Sequence, residues 1–158
     1  MGKRTMSSIV LADDDADDVL VFADTVKEID PAIRFEHVSD GDKLMQLLKH
    51  FLPDLLFLDL DMPRRNGLQC LQEIRRSGAL AELPVVVLSS TTRPANIQTA
   101  YEMGAHLYLV KTSQIQDYVT AVKSILYLNW SEPEAIKKQY CTNGRFAAFG
   151  KGNGGAPE

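Results

Sequence analysis

Two wholly apolar runs in this chain end in aspartate: Leu55-Leu56-Phe57-Leu58 in Asp59, and Ile9-Val10-Leu11-Ala12 in Asp13 and Asp14. A third strand-like run, Pro84-Val85-Val86-Val87-Leu88, ends in Ser89, and a fourth, His106-Leu107-Tyr108-Leu109-Val110, ends in Lys111. Apolar runs without polar alternation suit strands buried on both faces, as in a parallel sheet covered by helices. In such sheets ligands bind just beyond the carboxyl ends of the strands. Carboxylates gathered there repel: a pair ~4 Å apart at an effective dielectric of ~20 costs about 4 kcal/mol. A hard divalent cation relieves the repulsion, and magnesium suits a few carboxylate oxygens, a carbonyl and retained waters. Such an ion also neutralises charge on a transferring phosphoryl group. Lys111 adds a point charge for an anion, and Ser89 a hydroxyl donor. Carboxylate nucleophile, metal, lysine and hydroxyl together describe an aspartyl-phosphate site centred on Asp59.

The elements that must position these groups alternate along the chain. Helical spacing at Val19, Phe22, Ala23, Val26 and Ile29 follows the first run, and Asp30-Pro31 closes it. Asp15, Asp17 and Asp18 are read here as acids placed for the start of that helix. Residues 33–38 alternate like an edge or half-buried strand. Leu44, Leu47, Leu48 and Phe51 form a second helical face, and Leu68, Leu71 and Ile74 a third, stopped by Arg75-Arg76 and Gly78. Pro94 starts a fourth helix, ended by Gly104. Ser113 with Gln116 predicts a capping box for a fifth, carried by Ile115, Tyr118, Val119, Val122 and Leu126. Alternating strand and helix implies an α/β fold with a parallel sheet and right-handed crossovers. That topology brings Asp13, Asp14, Asp59, Ser89 and Lys111 to one edge.

Composition bounds the alternatives. At 158 residues there is room for one domain and a tail. A net charge of −4 excludes a nucleic-acid binder working by bulk electrostatics. Cys70 and Cys141 are too few and too distant for a disulfide framework or zinc site, and Cys70 reads as a buried thiol. His37, His50 and His106 lack ligand spacing. Residues 1–6 hold no long apolar stretch, so no signal peptide or membrane anchor is expected and the cytoplasm is the default. The predicted domain is 7–128, followed by a tail over 129–158. In the tail, residues 133–140 suit a short helix, and the glycine-rich end around 150–155 buries too little to order itself. Trp130, Tyr140, Phe146 and Phe149 would let the tail fold back over the fifth helix.

The chain resembles the receiver domain of two-component response regulators from about Ser7 to Leu128. The resemblance is carried by Leu11-Ala12-Asp13-Asp14, by Asp59-Leu60-Asp61-Met62-Pro63 with Asn66-Gly67, by Ser89, and by Tyr108-Leu109-Val110-Lys111. It implies a flavodoxin-like, doubly wound, five-stranded parallel sheet in the order 2-1-3-4-5 with helices on both faces. It also implies that Asp59 accepts a phosphoryl group from a sensor histidine kinase or histidine phosphotransfer protein. Asp14 and Asp59 would ligate magnesium directly, Asp13 through water, and the backbone carbonyl of Asp61 would complete the protein ligands. Lys111 and Ser89 would bind phosphoryl oxygens. Movement of Ser89 would let Tyr108 turn inward and remodel the surface of the fourth helix, fifth strand and fifth helix. The expected product is a signalling protein, not an enzyme, that contacts proteins and not nucleic acid or membrane. A phosphorylation-dependent homodimer is a secondary expectation.

One departure bears on the site. The family usually has proline after the lysine, joined by a cis peptide; here Thr112 stands there, and a non-proline cis bond costs ~2.5–4 kcal/mol. Arg64-Arg65 is read as solvated. Two other readings compete. Leu58-Asp59-Leu60-Asp61 also resembles the opening motif of haloacid-dehalogenase-type phosphatases, which would make the protein an enzyme. A pseudo-receiver that only binds partners is the third, disfavoured by the intact carboxylate cluster.

Overall fold

The structure is a computed structural model that describes residues 6–150. The apolar runs form parallel strands: β1 (Ser8–Ala12), β2 (Arg34–Val38), β3 (Leu55–Asp59), β4 (Val85–Ser89) and β5 (Leu107–Val110), joined by α1 (Ala16–Ile29), α2 (Gly41–Leu48), α3 (Gly67–Arg76) and α4 (Pro94–Glu102). Helix α5 (Ile115–Leu126) follows β5. The sheet order is β2-β1-β3-β4-β5, the flavodoxin-like order. Strands β3 and β4 are buried at every position, which explains their unbroken apolar sequence.

Helix α1 packs against α5, and α2 against α3. Phe22 of α1 meets Phe57 of β3 edge to face at 4.7 Å, pinning α1 over the central strand. Each fully buried Leu, Ile, Val or Phe contributes about 1.5–3 kcal/mol, so this core holds the strand ends rigidly. Caps set the helix starts. Asp15 accepts from the amides of Asp17 and Asp18, Asp40 from Lys43, and Asn66 forms a reciprocal capping box with Gln69. The capping box expected from Ser113 and Gln116 is absent. Helix α5 starts at Ile115 with Gln114 as its cap and no side-chain capping bond, and the Gln114 amide bonds to the Thr112 hydroxyl at 3.2 Å. Of the arginine pair, Arg64 is largely exposed while lying 3.7 Å from Asp40, and Arg65 pairs with Asp42 and Glu73 and ties α2 to α3.

Beyond α5 the chain stays folded. Helix α6 (Pro133–Gln139) appears where a short helix was expected, and β6 (Cys141–Thr142) and β7 (Arg145–Phe146) then form an antiparallel hairpin. Trp130, Ile136, Tyr140 and Ala148 are buried. The hairpin lies against α4 and the edge of β5, not over α5 as the sequence suggested. The glycine-rich end falls outside the described residues, apart from its first glycine, Gly150.

Candidate functional site

Parallel pairing sets β1 beside β3, with Ala12 level with Leu58, so the acids that follow each run emerge together. Carboxylate oxygens of Asp13, Asp14 and Asp59 all lie within 4.8 Å of one another. Asp13 and Asp59 are buried, whereas Asp14 is exposed. Lys111 reaches across from the end of β5, with Nζ 3.0 Å from Asp59 Oδ2 and 3.0 Å from Asp13 Oδ2. The Lys111–Thr112 peptide is trans, so the lysine reaches the acids without the family's proline.

Asp18 joins them, its carboxylate 3.1 Å from Lys111 Nζ. Sequence reading had set Asp18 aside as a first-turn acid. It lies in the first turn of α1, and its residue type and position alone do not show that it faces the same lysine. One ammonium thus serves three carboxylates, and Asp14 adds a fourth negative charge nearby. Burial pushes the Asp13 carboxyl up to about 6, against the pull of the Asp15 amide and of Lys111. Burial draws Lys111 down, but Asp13 and Asp59 outweigh it and hold the ammonium above its usual range. Asp13 Oδ2 is buried with an ionic neighbour but no donor in hydrogen-bonding alignment. This acid-rich, all-oxygen donor set, with an unsatisfied buried oxygen, fits a hard divalent ion.

The second oxygen of Asp59, Oδ1, accepts from the Asp61 amide at 2.9 Å, which places the Asp61 backbone beside it. Gly67 fixes the floor of this loop. A Cβ there would lie 2.4 Å from the Asp59 carbonyl oxygen, so only glycine lets α3 start this close to β3. Ser89 is buried at the end of β4, and its Oγ accepts from the Thr91 amide at 3.1 Å. Tyr108 is turned inward and fully buried, and its hydroxyl donates to the Thr91 carbonyl at 3.0 Å. Tyr118 of α5 lies beneath the cluster, and its hydroxyl is buried without a partner.

Residues 9–123 match the family described as the response regulator receiver domain. The chain belongs to that family. As a receiver it serves two-component phospho-acceptor signalling. It is 31% identical over 106 residues to the probable methanogenesis regulatory protein FilR2 of Methanothrix harundinacea, covering 62% of this chain and 68% of that one. The receiver spans about half the length of several curated relatives it matches, among them 41% of YvfU of Bacillus subtilis. Among solved structures, the phosphorylated cyanobacterial phytochrome response regulator RcpA superposes with a TM-score of 0.73 at 26% identity, over 77% of this chain and 91% of RcpA. The manganese-bound form of response regulator Rcp1 gives 0.68 at 27% identity, over 75% and 91%. Rcp1 is from Synechocystis.

Proposed function

We propose that Asp59 takes a phosphoryl group from a phosphohistidine on a sensor histidine kinase or histidine phosphotransfer protein, and that the receiver is not itself an enzyme. The observation that carries this reading is Lys111 Nζ held 3.0 Å from both Asp59 and Asp13 inside a cluster of three mutually close carboxylates. A carboxylate oxygen of Asp59 bonds to phosphorus as the donor's N–P bond breaks, and the departing imidazole keeps the electron pair. Asp13, Asp14, Asp59 and the Asp61 carbonyl would hold magnesium, which when bound shields charge on the transferring oxygens. The manganese-bound form of the relative Rcp1 supports a divalent ion at such a cluster. Lys111 shares its charge with the arriving phosphoryl oxygens, and Ser89 donates its hydroxyl to one of them.

Residues 7–128 form the working unit in this reading, and the output is a protein-binding surface around α4, β5 and α5. A phosphorylation-dependent homodimer would form on that surface. The setting is the cytoplasm; among the described residues no helix is long and apolar enough to cross a membrane. Intact mass after incubation with acetyl phosphate and magnesium tests the reading. One added phosphoryl group is expected, absent in Asp59→Asn and without magnesium. No gain, together with no binding of the phosphoryl mimic beryllofluoride, overturns it.

A further inference from the structure

Residues 129–150 do more than extend the domain. Tyr101 of α4 is fully buried and is the point on which they converge. Its ring stacks on Phe146 at 4.4 Å with planes 13° apart. Its hydroxyl donates to the Ala147 carbonyl at 2.9 Å and accepts from the Tyr108 amide at 3.1 Å. Its carbonyl accepts from Lys137 Nζ at 2.9 Å. Two residues beyond Ala147, the Phe149 amide donates to the Tyr108 carbonyl at 2.7 Å. Gln98 of α4 holds the same hairpin through the Phe146 amide and the Gly144 carbonyl. The outer edge of β5 at Tyr108, amide and carbonyl alike, is therefore saturated by Tyr101 and the strap that Tyr101 anchors.

Tyr108 in turn borders the acceptor site. Its hydroxyl holds the Thr91 carbonyl, and the Thr91 amide holds Ser89 Oγ as an acceptor. The Ser89 hydroxyl also interacts with the Tyr108 hydroxyl, so Tyr108 acts on Ser89 both directly and through Thr91. We infer that the strap, through Tyr101, is a positioning element for the acceptor site: it locks Tyr108 inward and so presets the Thr91 loop and Ser89 for the phosphoryl group. This rests on the reading of Asp59 as phosphoacceptor. Coupling of this kind is reciprocal, so phosphoryl binding must also tighten the strap by the same factor.

The test uses the full chain with magnesium and beryllofluoride. Affinity for the mimic is followed by fluorine NMR, and exchange of the Phe149 amide by hydrogen–deuterium exchange. Tyr101→Phe removes the bridging hydroxyl and keeps the ring stack; Phe146→Ala loosens the strap from its own side and leaves the sheet untouched. Both are expected to weaken mimic binding about tenfold, within the usual range of coupling between sites. In the unaltered protein the mimic is expected to slow Phe149 exchange by a similar factor, and Ser89→Ala to abolish that slowing. Equal mimic affinity in all chains, with Phe149 exchange indifferent to the mimic, overturns the inference while leaving the phosphoacceptor reading intact. Tighter binding in Phe146→Ala overturns it too, because the strap would then oppose phosphorylation. Failure of the unaltered protein to bind the mimic removes both.

Discussion

The two ends of the β4–β5 strand pair bury polar groups in opposite ways. At the carboxyl end, Ser89 and Lys111 face a cluster in which one ammonium serves Asp13, Asp18 and Asp59, and one buried carboxylate oxygen lacks an aligned donor. At the amino end His106 is equally buried but fully matched. Nδ1 accepts from the Val85 amide at 3.1 Å, which puts the ring proton on Nε2, 3.1 Å from the Glu134 carboxylate. Arg75 seals the surround by donating to the Gly104 and Ala81 carbonyls. Burial, reinforced by Arg75, pushes His106 down to about 4, so the ring stays neutral at physiological pH. Matched polar groups hold a fold together, whereas a surplus of buried charge is tolerated for what it binds.

The largest expected effect breaks the matched end. His106→Ala leaves the buried Val85 amide without its acceptor and opens a cavity, and is expected to lower stability by about 3–4 kcal/mol in urea unfolding. A loss below about 1 kcal/mol would show that the His106 network is incidental to the fold.

Acid separates the two ends by sign. The folded His106 sits at about 4 against an ordinary 6.5, so the unfolded chain takes the proton first. Its contribution is whole above pH 6.5 and is lost as pH falls toward 4, on the order of 3 kcal/mol in all. Asp13 sits at about 6 against 3.8, so the folded chain takes that proton first and stability is gained as pH falls from about 6 toward 3.8. In chelator-treated protein the two slopes oppose each other. His106→Ala should therefore gain stability on mild acidification, and Asp13→Asn should lose it more steeply than the unaltered chain. Parallel stability–pH curves for all three would refute the assignment.

A smaller gain is expected at the surplus end. At neutral pH without divalent ions, Asp13→Asn is expected to raise stability by about 2 kcal/mol, since Lys111 keeps two carboxylates while one repulsive charge is gone. Magnesium-dependent phosphorylation should fall in the same variant. Smallest of all, Tyr118→Phe removes a buried hydroxyl with no partner, and thermal unfolding should show a change of about +1 kcal/mol or less. A clear loss would reveal that the hydroxyl is engaged.

Strand identity and the acidic edge were legible in sequence because buried parallel strands leave unbroken apolar runs, and their first polar residue marks the sheet edge. Side-chain reach was not. Asp18 looks like any first-turn acid until the fold sets Lys111 opposite it. The capping box failed because α5 starts at Ile115, which makes Gln114 and not Ser113 the cap residue, a one-residue shift that residue types alone do not decide. The tail was underread. Its signal was Asn143-Gly144, both with positive φ at 54° and 79°, a pair that favours tight hairpin turns. The surrounding strands are only two residues each, too short to show alternation. Their partner is Tyr101, distant in sequence, so the apolar residues of the tail match no local period.

The seating of Phe149 along β5 also bears on how the protein behaves when crowded. Every open sheet has two borders at which a foreign strand can add by backbone bonding and seed aggregation. Here one border, β2, carries Arg34, Glu36 and His37 in five residues. The other is capped at Tyr108 by the Phe149 amide just past the hairpin and by the Tyr101 hydroxyl that the hairpin packs on. Shaving off that hairpin would uncover the more apolar border, Leu107 to Val110, and a shortened receiver is expected to self-associate through strands instead of helices.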